Sequence, residues 1–454
     1  MKYIFYTAII FFTLNSIAQN KPVLYDFADV PQALMLNPGF EINSDKHIGI
    51  PLLSGISVAV GIKNFKLTDL FSKNGIDINT KLKNLIFSKK SSDNLYVNQK
   101  LELFNIGYRL KRNTDYLSFG FYEEFNFIGY YPKDYAILLY QGNQDLTRSY
   151  DASSIKMRTD LVGVFHIGLN RRISKKLVVG ARFKLYSGAA EVKSLKNSGL
   201  FFTTDQNNNN LYTLHFVGVN ASVKTAGLYK GANFDDKFYN SLLGKLFFGG
   251  NFGIGFDFGF TYKPNKQIKY TASVQDLGFI NYSSKVKSYT AKGSYKTDGF
   301  NIDLSLPNTD YVQKLYDEFN ANIKQKASES GYITFRIPKV NASYSYGFGL
   351  PHYEDCYHRD LDSPYRNQLG IQLYSIFLPK QPQLATTVFY YKRLNKHFQT
   401  KLTYTVDSYS SSNVGLGMSF HIGNFNLYGS YNNLFANVYK SNYAGFQFGM
   451  NLIY

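Results

Sequence analysis

The chain has 454 residues, of which 18 % are charged and 17 % aromatic, all Phe or Tyr and no Trp. Its 36 glycines accompany only 12 prolines, which excludes a collagen-like or proline-rich chain. A formal charge of +18 favours anionic partners, and the single Cys356 excludes an internal disulfide.

Residues 1–18 read as a secretory signal peptide. Lys2 supplies the positive end, Ile4 to Leu14 the apolar stretch, and Ser16-Ile17-Ala18 the small-x-small cleavage site. A chain that leaves the cytoplasm meets nucleic acid rarely. The expected partner for its positive charge is therefore outer-membrane lipid with anionic headgroups, not nucleic acid. Residues 19–45 are apolar but do not alternate, so they are expected to fold back into a lumen as a plug-like segment, with Asn37, Pro38 and Gly39 as candidate plug residues.

From 46 to 454 the chain alternates. Ile56, Val58, Val60 and Ile62 share one face of a strand, with Ser57, Ala59, Gly61 and Lys63 on the other. In NFGIGFDFGFTYKP, Phe252, Ile254, Phe256, Phe258, Phe260 and Tyr262 form one face, and small or polar residues including Asp257 form the other. The end, YAGFQFGMNLIY, alternates in the same way and finishes on Tyr454. Runs of this kind are close to the ~9–11 residues that cross a bilayer when tilted.

Tight connections alternate with long ones, and the parity of that alternation predicts 14 strands. They fall near 46–64, 96–112, 115–130, 158–172, 176–190, 250–263, 266–283, 331–347, 365–379, 383–393, 397–409, 411–422, 425–433 and 443–454. The tight turns ISKK, PNKQ, RLNKH and GN are expected on the periplasmic side, as is KRNT when the second strand is read as inward. Segments 65–95, 131–157, 191–249 and 284–330 are long outer loops. The strand-like pieces 195–204 and 211–226 would break the parity and are read as a hairpin above the membrane. Helical spacing of Val312, Leu315, Tyr316 and Phe319 predicts a short loop helix, and 79–87 reads as another. The loop 350–364 is a longer periplasmic connection.

The expected fold is an all-β, transmembrane, antiparallel up-and-down barrel of about 14 strands with an N-terminal luminal segment. A soluble sandwich alternates too. Three features favour lipid: a non-apolar face rich in Gly, Ser, Asn and Gln, aromatic strand ends such as Tyr130-Tyr131 and Tyr390-Tyr391, and the aromatic last residue. A closed barrel also leaves no unpaired edge in lipid.

The run GFDFGFTYKPNKQIKYTASVQDLGFINY, the opening VPQALMLNPGFEINSDKHIGIPLLSGISV and the end GMNLIY resemble a group of Bacteroidota outer-membrane barrels of unassigned function. That group is similar to type IX secretion-associated barrels and more distantly to FadL-type transporters. The resemblance implies a barrel of 14 strands in the bacterial outer membrane with an internal N-terminal segment. Fourteen strands with an apolar N-terminal segment point to transport of a hydrophobic or amphipathic solute. The resemblance to secretion-associated barrels implies the alternative, a sealed structural barrel that binds secretion or surface-complex proteins.

On the expected lumen face stand the charges Asp257, Glu124, Arg182, Lys184, Arg336 and Lys401. Asp257 needs a partner, with Arg182 or Lys184 as candidates. Glu123 falls on the apolar face of LSFGFYEEFNF, so a bulge that turns it inward, a headgroup position or a protein contact is expected. Parity also shifts at Pro338-Lys339, which predicts a bulge or kink.

His166 and His421 fall on the lumen face, with Ser419 beside His421. No orienting group accompanies them, and no enzyme is read. PHYEDCYHRDLD gathers metal-capable groups around Cys356 but follows no zinc spacing, so neither a metal nor a cofactor is read.

Overall fold

The computed structural model describes residues 22–27, 30–110, 114–205, 212–228, 244–298, 311–351, 365–395, 397–434 and 442–454. Residues 1–18, expected to be a signal peptide, and the Cys356 segment lie outside the described residues.

Alternating residues build a closed antiparallel barrel of 14 wall strands. The first wall strand is split into β1 (Lys46–Gly49) and β2 (Ile56–Ile62). Then come β3 (Asn94–Arg109), β4 (Asp115–Tyr130), β6 (Met157–Arg172), β7 (Leu177–Ser194), β10 (Asn251–Tyr262) and β11 (Ile268–Tyr282). The eighth wall strand is also split, into β14 (Tyr332–Phe335) and β15 (Lys339–Pro351). The wall continues with β16 (Tyr365–Phe377), β17 (Pro382–Arg393), β18 (Phe398–Val406), β19 (Asn413–Ile422), β20 (Phe425–Asn432) and β21 (Tyr443–Ile453). Closure is made by β21 on the split first strand, with His47 opposite Ile453 and Val58 opposite Phe446. Each wall strand thereby has a neighbour on both sides, the eighth through β11 and, by its β15 part, β16.

Five strands stand outside the ring: β5 (Ser149–Asp151), β8 (Ser198–Asp205), β9 (Tyr212–Ala226), β12 (Val286–Thr297) and β13 (Ile323–Ser328). The hairpin expected above the membrane is β8–β9. Helices occupy Ile78–Ser88, Lys133–Gln141 and Tyr311–Asn322 at the same rim. The last helix stops at Asn322 because IKQKA pairs with β12, an edge that helical periodicity alone does not reveal. We call this end the loop rim and the other, with its turns at 173–176 and 423–424, the turn rim.

The outward faces are apolar and bare. Phe252 is 57 % exposed, Phe446 50 % and Leu373 55 %, where a soluble protein would cover such side chains. The inward faces are polar and buried. Among the described residues, no helix is long and apolar enough to cross a membrane.

Two irregularities bear on the interior. Asp257 faces a bulge in β11, where Gln275 and Asp276 stand between the pairs Phe258–Val274 and Phe256–Leu277. Asp276 there takes a φ of 60°, and both side chains reach the lumen. The second is the wall break between Phe335 and Lys339. β11 changes partner across it, from β15 to β14, as the parity shift at Pro338 anticipates.

Candidate functional site in the barrel lumen

Residues 22–27 and 30–40 lie inside the turn-rim half of the barrel. Leu24, Tyr25, Phe27, Leu34, Leu36 and Phe40 are buried there, packed with the inward rings of Tyr116, Tyr391 and Tyr428. Apart from a 3-10 turn at Pro31–Met35 the segment is irregular, so its carbonyls have few partners of their own. The wall supplies them. Asn170 Nδ2 donates to the Pro38 and Phe40 carbonyls at 2.7 and 2.8 Å. Ser273 Oγ donates to Leu36 O at 2.7 Å, joined there by Gln275, and Arg182 donates to Leu34 O. Lys401 holds the carbonyls of Pro22 and Tyr25. Gln32 and Asn451 exchange amide bonds of 2.8 and 3.0 Å.

The closest approach is at Asn37-Pro38-Gly39. Gly180 of β7 and Gly259 of β10 face each other in register and leave a flat patch in the wall. A Cβ on Gly180 would lie 2.6 Å from Gly39 N and closer still to the Pro38 carbonyl. A Cβ on Gly259 would run into the Asn37 side chain. Gly39 in turn lies against the Gly259 carbonyl, so backbone rests on backbone.

Beside this seat begins a continuous chain of ion pairs. Asp257 binds Arg182 at 3.0 Å and Lys184 at 2.8 Å, and also accepts the Asp276 backbone N–H at 2.8 Å. Lys184 passes to Asp276 at 2.7 Å, and Asp276 to Lys339 at 2.9 Å. Lys339 approaches Glu124 at 3.5 Å, and Glu124 binds Arg336 at 2.6 Å. Arg336 binds Asp160 at 2.9 Å, Asp160 binds Arg158 at 3.1 Å, and Arg158 meets Glu191 at 3.7 Å, with Lys193 beyond at 3.6 Å. Six cations thus pair with five anions up one side of the lumen, which leaves one net positive charge. The wall break is closed by this chain, since Arg158 also donates to the Phe335 carbonyl at 2.9 Å. Buried charges persist only when paired in this way.

Toward the loop rim the lumen turns aromatic. Tyr122, Tyr186, Tyr282 and Tyr332 gather on one side, and Tyr96, Tyr130, Tyr374, Tyr409 and Tyr443 on the other. A crevice of only about 10 Å³ opens at the ion chain, lined by Tyr96, Asn126, Asp160, Arg336, Ile337, Lys339 and Ile376.

Five of the six candidate charges, Asp257, Glu124, Arg182, Lys184 and Arg336, meet in the ion chain. Lys401 stands apart from it and serves the N-terminal segment, its ammonium also 4.2 Å from the Phe389 ring centroid. Glu123 is not turned inward. Its strand alternates without interruption, the bulge falls on β3 between Glu102 and Phe104, and Glu123 stays on the outer face with Gln99 Nε2 at 3.3 Å. Ser419 accepts Asn426 Nδ2 at 2.9 Å, and the same amide lies 3.4 Å from His421 Nδ1. His166 packs instead against Tyr122 with ring centroids 5.8 Å apart.

Sequence reasoning missed Asp276, Lys339, Asp160, Arg158, Glu191 and Lys193. Arg158 and Asp160 were legible, because both occupy the polar parity of the 158–172 strand. Asp276 was hidden by its bulge, which places Gln275 and Asp276 on one side.

A model of a family of unknown function, DUF5723, matches residues 38–432. No curated protein matches. Among solved structures, the Pseudomonas putida toluene transporter TodX is similar at 10 % identity, covering 97 % of this chain and 94 % of that one, with a TM-score of 0.39. A Pseudomonas aeruginosa FadL homologue is similar at 9 % identity, covering 97 % and 99 %, with a TM-score of 0.46. The CymD monoaromatic hydrocarbon channel is similar at 10 % identity, covering 94 % and 92 %, with a TM-score of 0.39. With its family model running from the glycine seat through all the wall strands but the last, the chain belongs to the family of unknown function DUF5723.

Proposed function

We propose that the protein is a bacterial outer-membrane channel for a hydrophobic or amphipathic solute, closed at rest by its N-terminal segment. One observation carries this reading. The segment is held by side chains bonded to its carbonyls and by a glycine seat, not by strand pairing. It can therefore leave the lumen without opening the wall. The bare apolar outer face supports a lipid surrounding, as in a barrel whose strands alternate between lipid and lumen. The tyrosine-lined upper lumen supports an amphipathic solute, since each ring offers an apolar face and a polar tip.

A second reading is a sealed barrel that binds secretion or surface-complex proteins. It is favoured by the ion chain, whose crevice of about 10 Å³ has room for about one water. Planar-bilayer recordings on a chain lacking residues 22–40 separate the two. A channel closed by that segment becomes conducting. A folded deletion variant that stays silent supports the sealed barrel and defeats the channel.

A further inference from the structure

At the loop rim, β9 leaves the end of β7 with Lys224 opposite Lys193, and both ammonium groups lie within 5.0 Å of the Tyr332 ring centroid. β9, β12 and β13 then form a three-stranded sheet. Its registers place Lys224 opposite Ser288, and Ser288 opposite Ser328. The next row on the same face is Ser222, Thr290 and Lys326, and the third is Asn220, Lys292 and Lys324. Opposed residues, and alternate residues along a strand, share a face. One face of this sheet therefore carries four lysines among hydroxyl and amide side chains, with no carboxylate and no large apolar group. Lys292, Lys324 and Lys326 are exposed. The described carboxylates nearest in sequence are Glu329, just past β13, Asp298, which pairs with Lys296 at 3.7 Å, and Asp317 and Glu318 on the helix before β13, where Glu318 accepts the Tyr295 hydroxyl at 3.4 Å.

We propose that this face is a docking surface for a polyanionic glycan on the exterior side of the membrane. The charge is complementary to a chain of sugar acids. With strands about 4.8 Å apart and alternate residues about 7 Å apart, the lysines cover a field of about 10 by 14 Å, wide enough for an extended chain lying flat. The serine, threonine and asparagine side chains between the lysines match sugar hydroxyls. The absence of large apolar side chains disfavours an acyl chain or an apolar peptide. The proposal rests on the loop rim facing outward. It does not depend on whether the lumen conducts.

The test uses the full chain in detergent micelles and biotinylated oligogalacturonate as the probe, with neutral dextran and polyglutamate in parallel. The expected result is salt-sensitive binding of oligogalacturonate, no binding of dextran and weaker binding of polyglutamate. K292S/K324S/K326S should weaken oligogalacturonate binding by about tenfold or more, because counterion release scales with the number of contacts. K175S/K176S, on the exposed turn at the opposite rim, should leave it unchanged. Equal loss in both variants, or binding by the parent that ignores salt, overturns the proposal. Polyglutamate binding as tight as the glycan overturns the glycan assignment in favour of an acidic peptide.

Discussion

Replacing Gly180 with Ala adds one methyl group where the structure has no room for it. The new Cβ would lie 2.6 Å from Gly39 N, against an ordinary contact of about 3.5 Å, and would overlap the Pro38 carbonyl more severely. The Pro38-Gly39 backbone must retreat by about 1 Å or more, since β7 is held by neighbours on both sides. That retreat breaks the Asn170 bonds to Pro38 O and Phe40 O, now 2.7 and 2.8 Å, and strands a buried amide. Losing such bonds at a buried group costs about 2–4 kcal/mol, which shifts the seated-to-released ratio by about 30- to 1,000-fold. The assay reads seating directly. Ala33 is buried beside the seat, so an Ala33→Cys substitution in a C356S background places a single thiol there. The maleimide labelling rate of that thiol in liposomes should rise in G180A by a factor within the same range. G429A is the control, because its Cβ would meet nothing nearer than 3.8 Å. Equal labelling of the introduced thiol with and without G180A would refute the idea that the glycine pair seats the segment.

Three further outcomes follow from the same geometry. D257N leaves Arg182 without its carboxylate and Lys184 with Asp276 alone, so the barrel should lose about 3–5 kcal/mol, read as a lower temperature for loss of the compact band on unheated SDS gels. An unchanged transition would show that the ion chain does not hold the wall break shut. K401M removes the donor to the Pro22 and Tyr25 carbonyls but touches no member of the ion chain. Labelling of the thiol introduced by A33C should increase while the barrel melts as before, and a barrel that melts earlier would contradict that division of labour. E123L replaces a carboxylate on the apolar outer face, whose described side-chain hydrogen bond is to Gln99, so stability in liposomes by urea titration should rise by about 1 kcal/mol. A loss of that size would mean that Glu123 binds something on the outside of the wall.

The barrel itself was legible residue by residue. A period of two over segments such as 251–262, with connections that alternate between tight and long, leaves few ways to close a wall. The predicted strand positions differ from those found by only a few residues. Legibility failed wherever the period was locally broken. IKQKA carries too short an apolar pattern to distinguish strand from helix, and its pairing with β12 decided it. For Glu123 the sequence left open a bulge that turns it inward, a headgroup position or a protein contact. The bulge lies on the neighbouring strand, a fact of register that alternation along one strand does not carry.

For the lumen the division is similar. Where alternation runs unbroken, the sequence by itself determined which charges face inward, because side-chain direction in a strand is a local property of the backbone, whereas the β11 bulge decided it for Asp276. Which charge meets which was decided by the stagger of six adjacent strands and by two breaks in them. Gly180 and Gly259 are far apart in the chain and become one patch only through the pairing of β7 with β10. The run NFGIGFDFGFTYKP shows the same division. Its own pattern puts Asp257 and Gly259 on the inner face. That Asp257 anchors an ion chain and Gly259 seats a backbone follows from partners that only the closed barrel brings within reach.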